Sequence, residues 1–399
     1  MDAVSNSGPT LLGTPVAFLL FGLILVGILL LQRRSLEVSL VGLLLIVTFR
    51  LGLSRFDLGQ HLDHEWVKLA NLFGLLVGFT LMADHFEGSR VTARLPRLLP
   101  SGRVGCFSLL VCVWILSGLL DNIAAALIGA TAAMALFKRQ VHLGYLAAIV
   151  AAANAGGAGS VLGDTTTTML WIDGVSPLSV LPAYIGTTSA LVVFGAFASA
   201  QQHRHAPIDS NTAENIRIDS VRLGIVLGAL ALMIGTNLVV NNMVRSSRDH
   251  FPFLATALWV ALVVGGLARP LNWRLLPGAI RSSVFLLALV LSASLMPVEA
   301  LPRPSWLSTL AMGFVSAVFD NIPLTKLALD QGGYDWALLA YAVGFGGSMV
   351  WFGSSAGVAI TGLFPEAKSV VRWLRAAWHV PVGFLVGFFA LYLLRGWNP

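Results

Sequence analysis

The sequence predicts an all-α polytopic membrane protein, an inverted repeat with ten transmembrane crossings, two re-entrant helical hairpins and discontinuous helices at a binding site. Three observations carry that expectation. Hydrophobic residues make up 56% of the 399 and charged ones 11%, with mean hydropathy +0.81, which excludes a soluble globular domain. Apolar runs of spanning length recur between short polar gaps. Two of these runs carry an Asp-Asn pair at their middle, and each is followed by a glycine-rich break.

Taken in order, Met1 to Thr10 has no basic region, and the run from Pro15 to Leu31 ends at Gln32-Arg33-Arg34 without a small-residue cleavage site. It reads as a retained first span rather than a signal peptide. Spans are expected at about 15–31, 36–53, 66–83, 143–171, 178–200, 221–240, 251–267, 282–297, 336–364 and 377–394. The runs 104–137 and 305–329 are interrupted at Asp121-Asn122 and Asp320-Asn321, leaving arms too short to cross. Both therefore read as hairpins whose tips carry the pair.

Charge orients the chain. With the N-terminus outside, the cytoplasmic gaps hold most of the 25 Lys and Arg, including Arg33, Arg34, Arg94, Arg97, Arg217, Arg222, Arg269 and Arg274. The outer gaps keep a minority, such as Arg50, Arg55, Lys68, Arg245 and Arg248. That bias supports ten crossings with both termini outside. The first hairpin then enters from the cytoplasm and the second from the opposite face.

Opposite entry implies two inverted halves, and the residues repeat accordingly. Ser117-Gly-Leu-Leu-Asp121-Asn122-Ile123 recurs as Ser316-Ala-Val-Phe-Asp320-Asn321-Ile322, an offset of 199. Asn154-Ala-Gly156-Gly157 with Gly163-Asp164-Thr165 aligns with Gly344-Phe-Gly346-Gly347 with Gly353-Ser354-Ser355, an offset of 190. Corresponding interrupted segments in two halves point to a secondary transporter with its site near the midplane. The expected division is scaffold helices over 1–103, a transport part over 104–200, a cytoplasmic linker over 201–220, second scaffold helices over 221–304 and a second transport part over 305–399.

The chemistry centres on 154–168, NAGGAGSVLGDTTTT. Its glycines each cost a helix roughly 1 kcal/mol relative to Ala, so the backbone comes apart and frees carbonyls and amides. Irregular backbone at membrane depth survives only when buried in protein or lining a wet cavity. Oxygens from Asp121, Asn122, Asn154, Asp164, Thr165, Thr166, Asp320 and Asn321, with carbonyls freed around Gly156 and Gly157, suit a small cation. Asp121, Asp164 and Asp320 are the acids placed deep in the membrane. A desolvated carboxylate there favours holding either a proton or a cation, which is a simple route to exchange.

Blander readings apply to other positions. An Asp-Asn tip also serves as a helix cap, and Thr167, Thr168 and Thr361 are expected to bond their own backbone. Lys326, six residues past Asp320, could neutralise a hairpin carboxylate, bind an anion or snorkel outward. His61, Asp63, His64 and Glu65 read as a solvated outer rim, and Cys106 and Cys112 as small buried hydrophobes. No nucleophile-base pair, phosphate loop, thiol site or nucleic-acid patch is visible, so neither an enzyme nor a nucleic-acid binder is expected, and no cofactor or structural metal beyond transported Na+ or Li+ and H+.

At these residues the chain resembles the ion transporter superfamily, and within it the NhaD-type sodium/proton antiporters. The matching stretches are Ser117 to Ile123, Asn154-Ala-Gly-Gly with Gly163-Asp164-x-Thr-Thr-Thr-Met169-Leu170-Trp171, Asp320-Asn321-Ile322-Pro323-Leu324, and Gly346-Gly347-Ser348 with Gly353-Ser354-Ser355-Ala356-Gly357. The resemblance implies an inner-membrane homodimer of inverted repeats, each protomer divided into a scaffold and a mobile transport part. It also implies that Asp121, Asn122, Asn154, Asp164, Thr165, Thr166, Asp320, Asn321, Ser348, Ser354 and Ser355 bind the ion. Relatives in the same superfamily carry citrate, dicarboxylates or arsenite. A cation-coupled transporter of a small carboxylate or oxyanion is therefore the alternative expectation.

Overall fold

Backbone amides and carbonyls in lipid need partners within their own segment, and the chain meets that need with helices almost throughout. The computed structural model describes residues 9–11, 13–31, 34–53, 57–91, 99–208, 217–243 and 250–399. Arg33, Arg55, Arg94, Arg97, Arg245 and Arg248 of the charge pattern, residues 1–8 of the N-terminal stretch and 209–216 of the expected linker lie outside them.

A short antiparallel ribbon, β1 (Thr10–Leu11) with β2 (Thr14–Pro15), leads into α1 (Val16–Leu30), with Thr10 opposite Pro15. Then come α2 (Ser35–Leu53) and α3 (Leu58–Gly88), followed by α4 (Gly102–Ser117) and α5 (Asn122–Leu136) on either side of the first Asp-Asn tip. α6 (Leu143–Gly157) and α7 (Thr165–Ile172) flank the first glycine break, and α8 (Ala183–His205) ends the first half. The second half contains α9 (Ser220–Met243), α10 (Phe253–Gly266), α11 (Leu276–Ser294), then α12 (Trp306–Ser316) and α13 (Asn321–Gln331) around the second tip. α14 (Trp336–Leu339) continues as a π-helical turn over Ala340–Gly344. After the second break come α15 (Ser355–Leu363), α16 (Val370–Ala376) and α17 (His379–Arg395).

This is a polytopic helical membrane protein. Among the described residues, Ser35–Gly52, Leu58–Gly88, Pro177–His205, Ser220–Val240 and Trp273–Ser294 are long and apolar enough to cross a bilayer, and the pair α16 and α17, bent by 60°, makes a sixth if it is one span. The other four of the ten expected crossings fall on α1 (15 residues) and α10 (14 residues), or on the interrupted segments α6–α7 and α14–α15. Large apolar side chains such as Leu23, Leu44, Leu238, Val264 and Leu393 face outward, as a lipid solvent allows.

One large apolar core gathers α4, α5, α6 and α8 with α14, α15 and α17. There α8 and α17 lie along each other, and Tyr341 stacks on Phe384 (ring centroids 5.7 Å) while donating its hydroxyl to the Phe384 carbonyl at 2.8 Å. A second core joins α3, α9 and α10, and a third joins α1, α2 and α11. α3 and α11 also pack on each other and reach α7 and α13.

Two expectations need correction. Gln201 to His205 belong to α8 rather than to a solvated linker. Gln202 is fully buried because its amide accepts from His142 N at 2.7 Å and donates to the Gln140 carbonyl at 3.0 Å. The expected outer rim is the start of α3, capped by Asp57 accepting from Gln60 N, and Glu65 there is buried rather than solvated because Lys326 pairs with it.

Asp335 anchors the end of the chain. It is buried, caps α14 by accepting from Ala337 N and Leu338 N, and accepts from Arg395 Nη1 at 2.9 Å and Asn398 N at 3.0 Å. Replacing Asp335 with Ala removes a cap and one partner of a largely buried ion pair, so it should destabilise the fold by about 3 kcal/mol. Thermal unfolding of the detergent-purified variant, followed by size-exclusion chromatography, measures the loss.

Candidate functional site

The two tips and the first break meet because each helix start has its own way of satisfying free amides. Asp121 and Asp320 are the N-cap residues of α5 and α13, accepting from Ile123 N at 3.2 Å and Ile322 N at 3.0 Å. A carboxylate folded back over its own helix start leaves the next side chain, Asn122 or Asn321, to face the centre. Asp164 is the N-cap residue of α7, but its side chain makes no capping bond. Thr167 and Thr168 instead donate their hydroxyls to its backbone carbonyl, each at 2.9 Å, and to Ser160 and Val161 carbonyls.

The Asp164 carboxylate, 2% exposed, is therefore free to bind elsewhere. Its Oδ1 accepts from Asn122 Nδ2 at 3.0 Å and from Asn321 Nδ2 at 3.2 Å, and Oδ2 accepts from Asn321 Nδ2 at 3.2 Å. Asn122 also donates to Asn154 Oδ1 at 3.1 Å. Asn154 in turn donates to Ser348 Oγ at 2.9 Å and Ser354 Oγ at 3.0 Å. Residues from both tips and both breaks thus share one buried hydrogen-bonded web, as expected from the duplicated motifs.

Asp121 and Asp320 do not touch Asp164 in that web; their asparagine neighbours do. Ser355 lies 3.5 Å from Asp320 Oδ2, Thr165 is half-buried and Thr166 fully buried on the first turn of α7. Gly156 and Gly157 close α6. A Cβ at Gly156 would overlap the Trp114 carbonyl oxygen, and one at Gly346 would overlap that of Gly313, so each break lies backbone against backbone on the first arm of its hairpin. Trp114 and Gly313 are themselves separated by the same 199 as the tips.

Contacts between the halves are reciprocal. Asn154 bonds Ser354, the counterpart of Asp164, while a Cβ on Gly344, the counterpart of Asn154, would sit 3.0 Å from Asp164 Oδ2. Ser117 donates to the Ala153 carbonyl, and Ser316 donates to the Val343 carbonyl at 2.7 Å.

Lys326 is placed elsewhere than beside Asp320. Lys326 is buried, and its ammonium lies 2.8 Å from both Glu65 Oε2 of α3 and Asp330 Oδ1 one turn along α13. Of the three acids expected to be deep, Asp164 is buried while Asp121, on the cavity wall, and Asp320 are half-buried, and Glu65 and Asp335 are further buried acids.

A cavity of about 950 Å3 opens onto the web. Asp121, Asn122, Asp164, Thr165, Asn321 and Ser355 form one wall, and Leu76, Thr80, Asp84, Ser282, Ser283 and Leu286 of α3 and α11 form the other. Its far end reaches Glu87 and Arg90, where a polar cleft with Arg217, Asp219 and Arg222 adjoins it. At that rim the Arg269 guanidinium, 2.7 Å from Asp219, holds the Asp219 carboxyl below the usual carboxylate range. The α3 and α11 wall was not singled out from sequence, although Thr80, Asp84 and Glu87 recur at helical spacing and so mark one polar face.

No family model matches the chain. It is 26% identical over 398 residues to sodium/proton antiporter 1 of Arabidopsis thaliana, covering 86% of this chain and 66% of that protein. It is also 27% identical over 365 residues to sodium/proton antiporter 2 of the same plant, covering 82% of each. The chain thus spans about two thirds of the length of the first relative, and over most of its own length it is distantly similar to two sodium/proton antiporters.

Proposed function

We propose that this chain is a secondary active ion transporter that exchanges sodium or lithium for protons, with cation and proton competing for Asp164. The observation that carries this reading is a buried carboxylate at the floor of a solvent-accessible cavity whose side-chain partners are neutral amides from both hairpin tips. A carboxylate at membrane depth costs about 2.5–3.5 kcal/mol, and a cation or a proton relieves that cost. Turning either asparagine amide half a turn about its last torsion would present a carbonyl oxygen in place of its donor. Asp121 and Asp320, at the helix starts on either side, would offset the positive ends of α5 and α13, which by themselves favour anions.

The ten-crossing inverted topology belongs to the same reading. Repeated offsets of the tips and breaks, and the reciprocal Asn154–Ser354 and Gly344–Asp164 contacts, support a pseudo-twofold relation between the halves. The cavity's far end lies beside Arg90, Arg217 and Arg222, a charge bias that supports reading it as the cytoplasmic opening.

The alternative, a cation-coupled carrier of a small carboxylate or oxyanion, would hold its anion with Lys326, hydroxyls and hairpin amides. Of these, the Lys326 ammonium is taken up by the Glu65 and Asp330 carboxylates, which leaves the hydroxyls and amides alone to hold an anion.

In proteoliposomes with a trapped pH dye, a sodium or lithium gradient should move protons with no organic anion present; flux that requires citrate or arsenite would select the alternative. Asp164→Asn should abolish this exchange while the purified protein keeps its size-exclusion profile, and persistent sodium-driven proton movement would overturn the assignment. Asn321→Ala removes charge-assisted hydrogen bonds worth about 1.5–3 kcal/mol, so the sodium concentration at half-maximal flux should shift by roughly tenfold or more.

A further inference from the structure

The cavity ends abruptly, and what lies past it is built from the same helices. It follows α3 from Leu76 to Glu87 and runs from Leu275, just before α11, to Leu286. Toward the opposite ends of these two helices, Leu72, Met169, Leu286, Val290 and Ile322 close into a buried apolar cluster of their own. Past that cluster lies a second, much smaller cavity of about 20 Å3, whose walls include Glu65, Lys68, Asp173, Val290, Lys326 and Leu329.

Charge covers this smaller space. Lys326 on α13 bonds Glu65 on α3 at 2.8 Å, with side chains 4% and 7% exposed, and Lys68 on α3 meets Asp173 at the end of α7. Both ties join α3 to an element that supplies the web around Asp164, since α13 begins at Asn321 and α7 begins just after Asp164. The same two elements therefore contact the central carboxylate at one end and are strapped to α3 at the other.

We propose that this apolar cluster and the Glu65–Lys326–Asp330 and Lys68–Asp173 ties form the closed half of the ion pathway, an oily plug beneath a charged seal. The proposal rests on the transport reading above. Passage to the second face requires α7 and α13 to shift along α3, which parts the plug and separates the ties into water. Ion pairs suit that task. In the closed state their attraction offsets their desolvation, and in the open state hydration replaces the attraction, so the net difference is small for either direction. Five apolar side chains without charges would favour the closed state more heavily.

Site-directed thiol labelling tests the proposal. In a Cys106→Ala, Cys112→Ala background, Val290→Cys places a reporter in the plug, and Leu329→Cys places a second one on the half-buried wall of the small cavity. Reconstituted protein is exposed to a charged, membrane-impermeant methanethiosulfonate added from the face opposite the large cavity. The reporters should react slowly from that face, Glu65→Gln or Lys68→Gln should speed the reaction by about tenfold or more, and modification should stop ion exchange. Lys68 is partly exposed, so its variant serves if Glu65→Gln does not fold. Reporters that react only from the cavity face, or stay inert from the other in every variant while exchange continues, would overturn the proposal. Labelling is read without assuming which ion moves. The expected labelling pattern without sodium-driven proton flux would therefore leave the pathway standing and remove the antiport reading.

Discussion

Everything near the centre of the molecule depends on holding one carboxylate, Asp164, almost wholly buried at the edge of a cavity, with no cationic side chain hydrogen-bonded to it among the described residues. A charge at that depth is tolerated only when dipoles surround it, and the fold supplies them from four separate stretches of chain. The hairpin tips bring Asn122 and Asn321, while the breaks bring Asn154 and, through it, Ser348 and Ser354. The glycines make this possible by a different route, letting two backbones touch where any side chain would hold them apart.

The two sets of recurring motifs do not carry the same residues. Where the first half carries Asn154 and Asp164, the second carries Gly344 and Ser354. The exchange removes one carboxylate from the centre and leaves room for the other, because the bare Gly344 backbone lies where a side chain would press on Asp164 Oδ2. Two copies of the acidic version would place like charges side by side, which is costly at low dielectric. The difference between the two repeated motifs thus leaves one carboxylate, that of Asp164, at the centre of the hydrogen-bonded web.

Much of this was legible in the sequence. Apolar runs located the helices, and paired polar interruptions marked the tips and breaks that the structure brings together. The Asp-Asn pairs could not reveal which member faces the centre, because that follows from capping geometry: Asp121 and Asp320 hold extended backbone angles (ψ 141° and 143°) and spend their carboxylates on their own helix starts. Lys326 was equally opaque, since its partner Glu65 lies 261 residues away and no local pattern links them. The polar look of Gln201 to His205 misled for a related reason: Gln202 finds its partners in the 140–142 turn, a contact made by tertiary packing rather than by neighbours in sequence. The four further crossings expected from the apolar runs fall on short helices or on the broken ones, and the interruptions of the broken ones supply part of the hydrogen-bonded web around Asp164.

The large cavity also has an electrical consequence. Solvent that reaches Asp164 from one face is a conductor, so the voltage across the bilayer does not fall evenly over its thickness. On the proposed pathway it drops mostly across the thin layer between the central carboxylate and the small cavity beyond. An ion crossing that layer feels nearly the whole potential, about 2.3 kcal/mol per charge for each 100 mV, over a displacement far shorter than the membrane is wide.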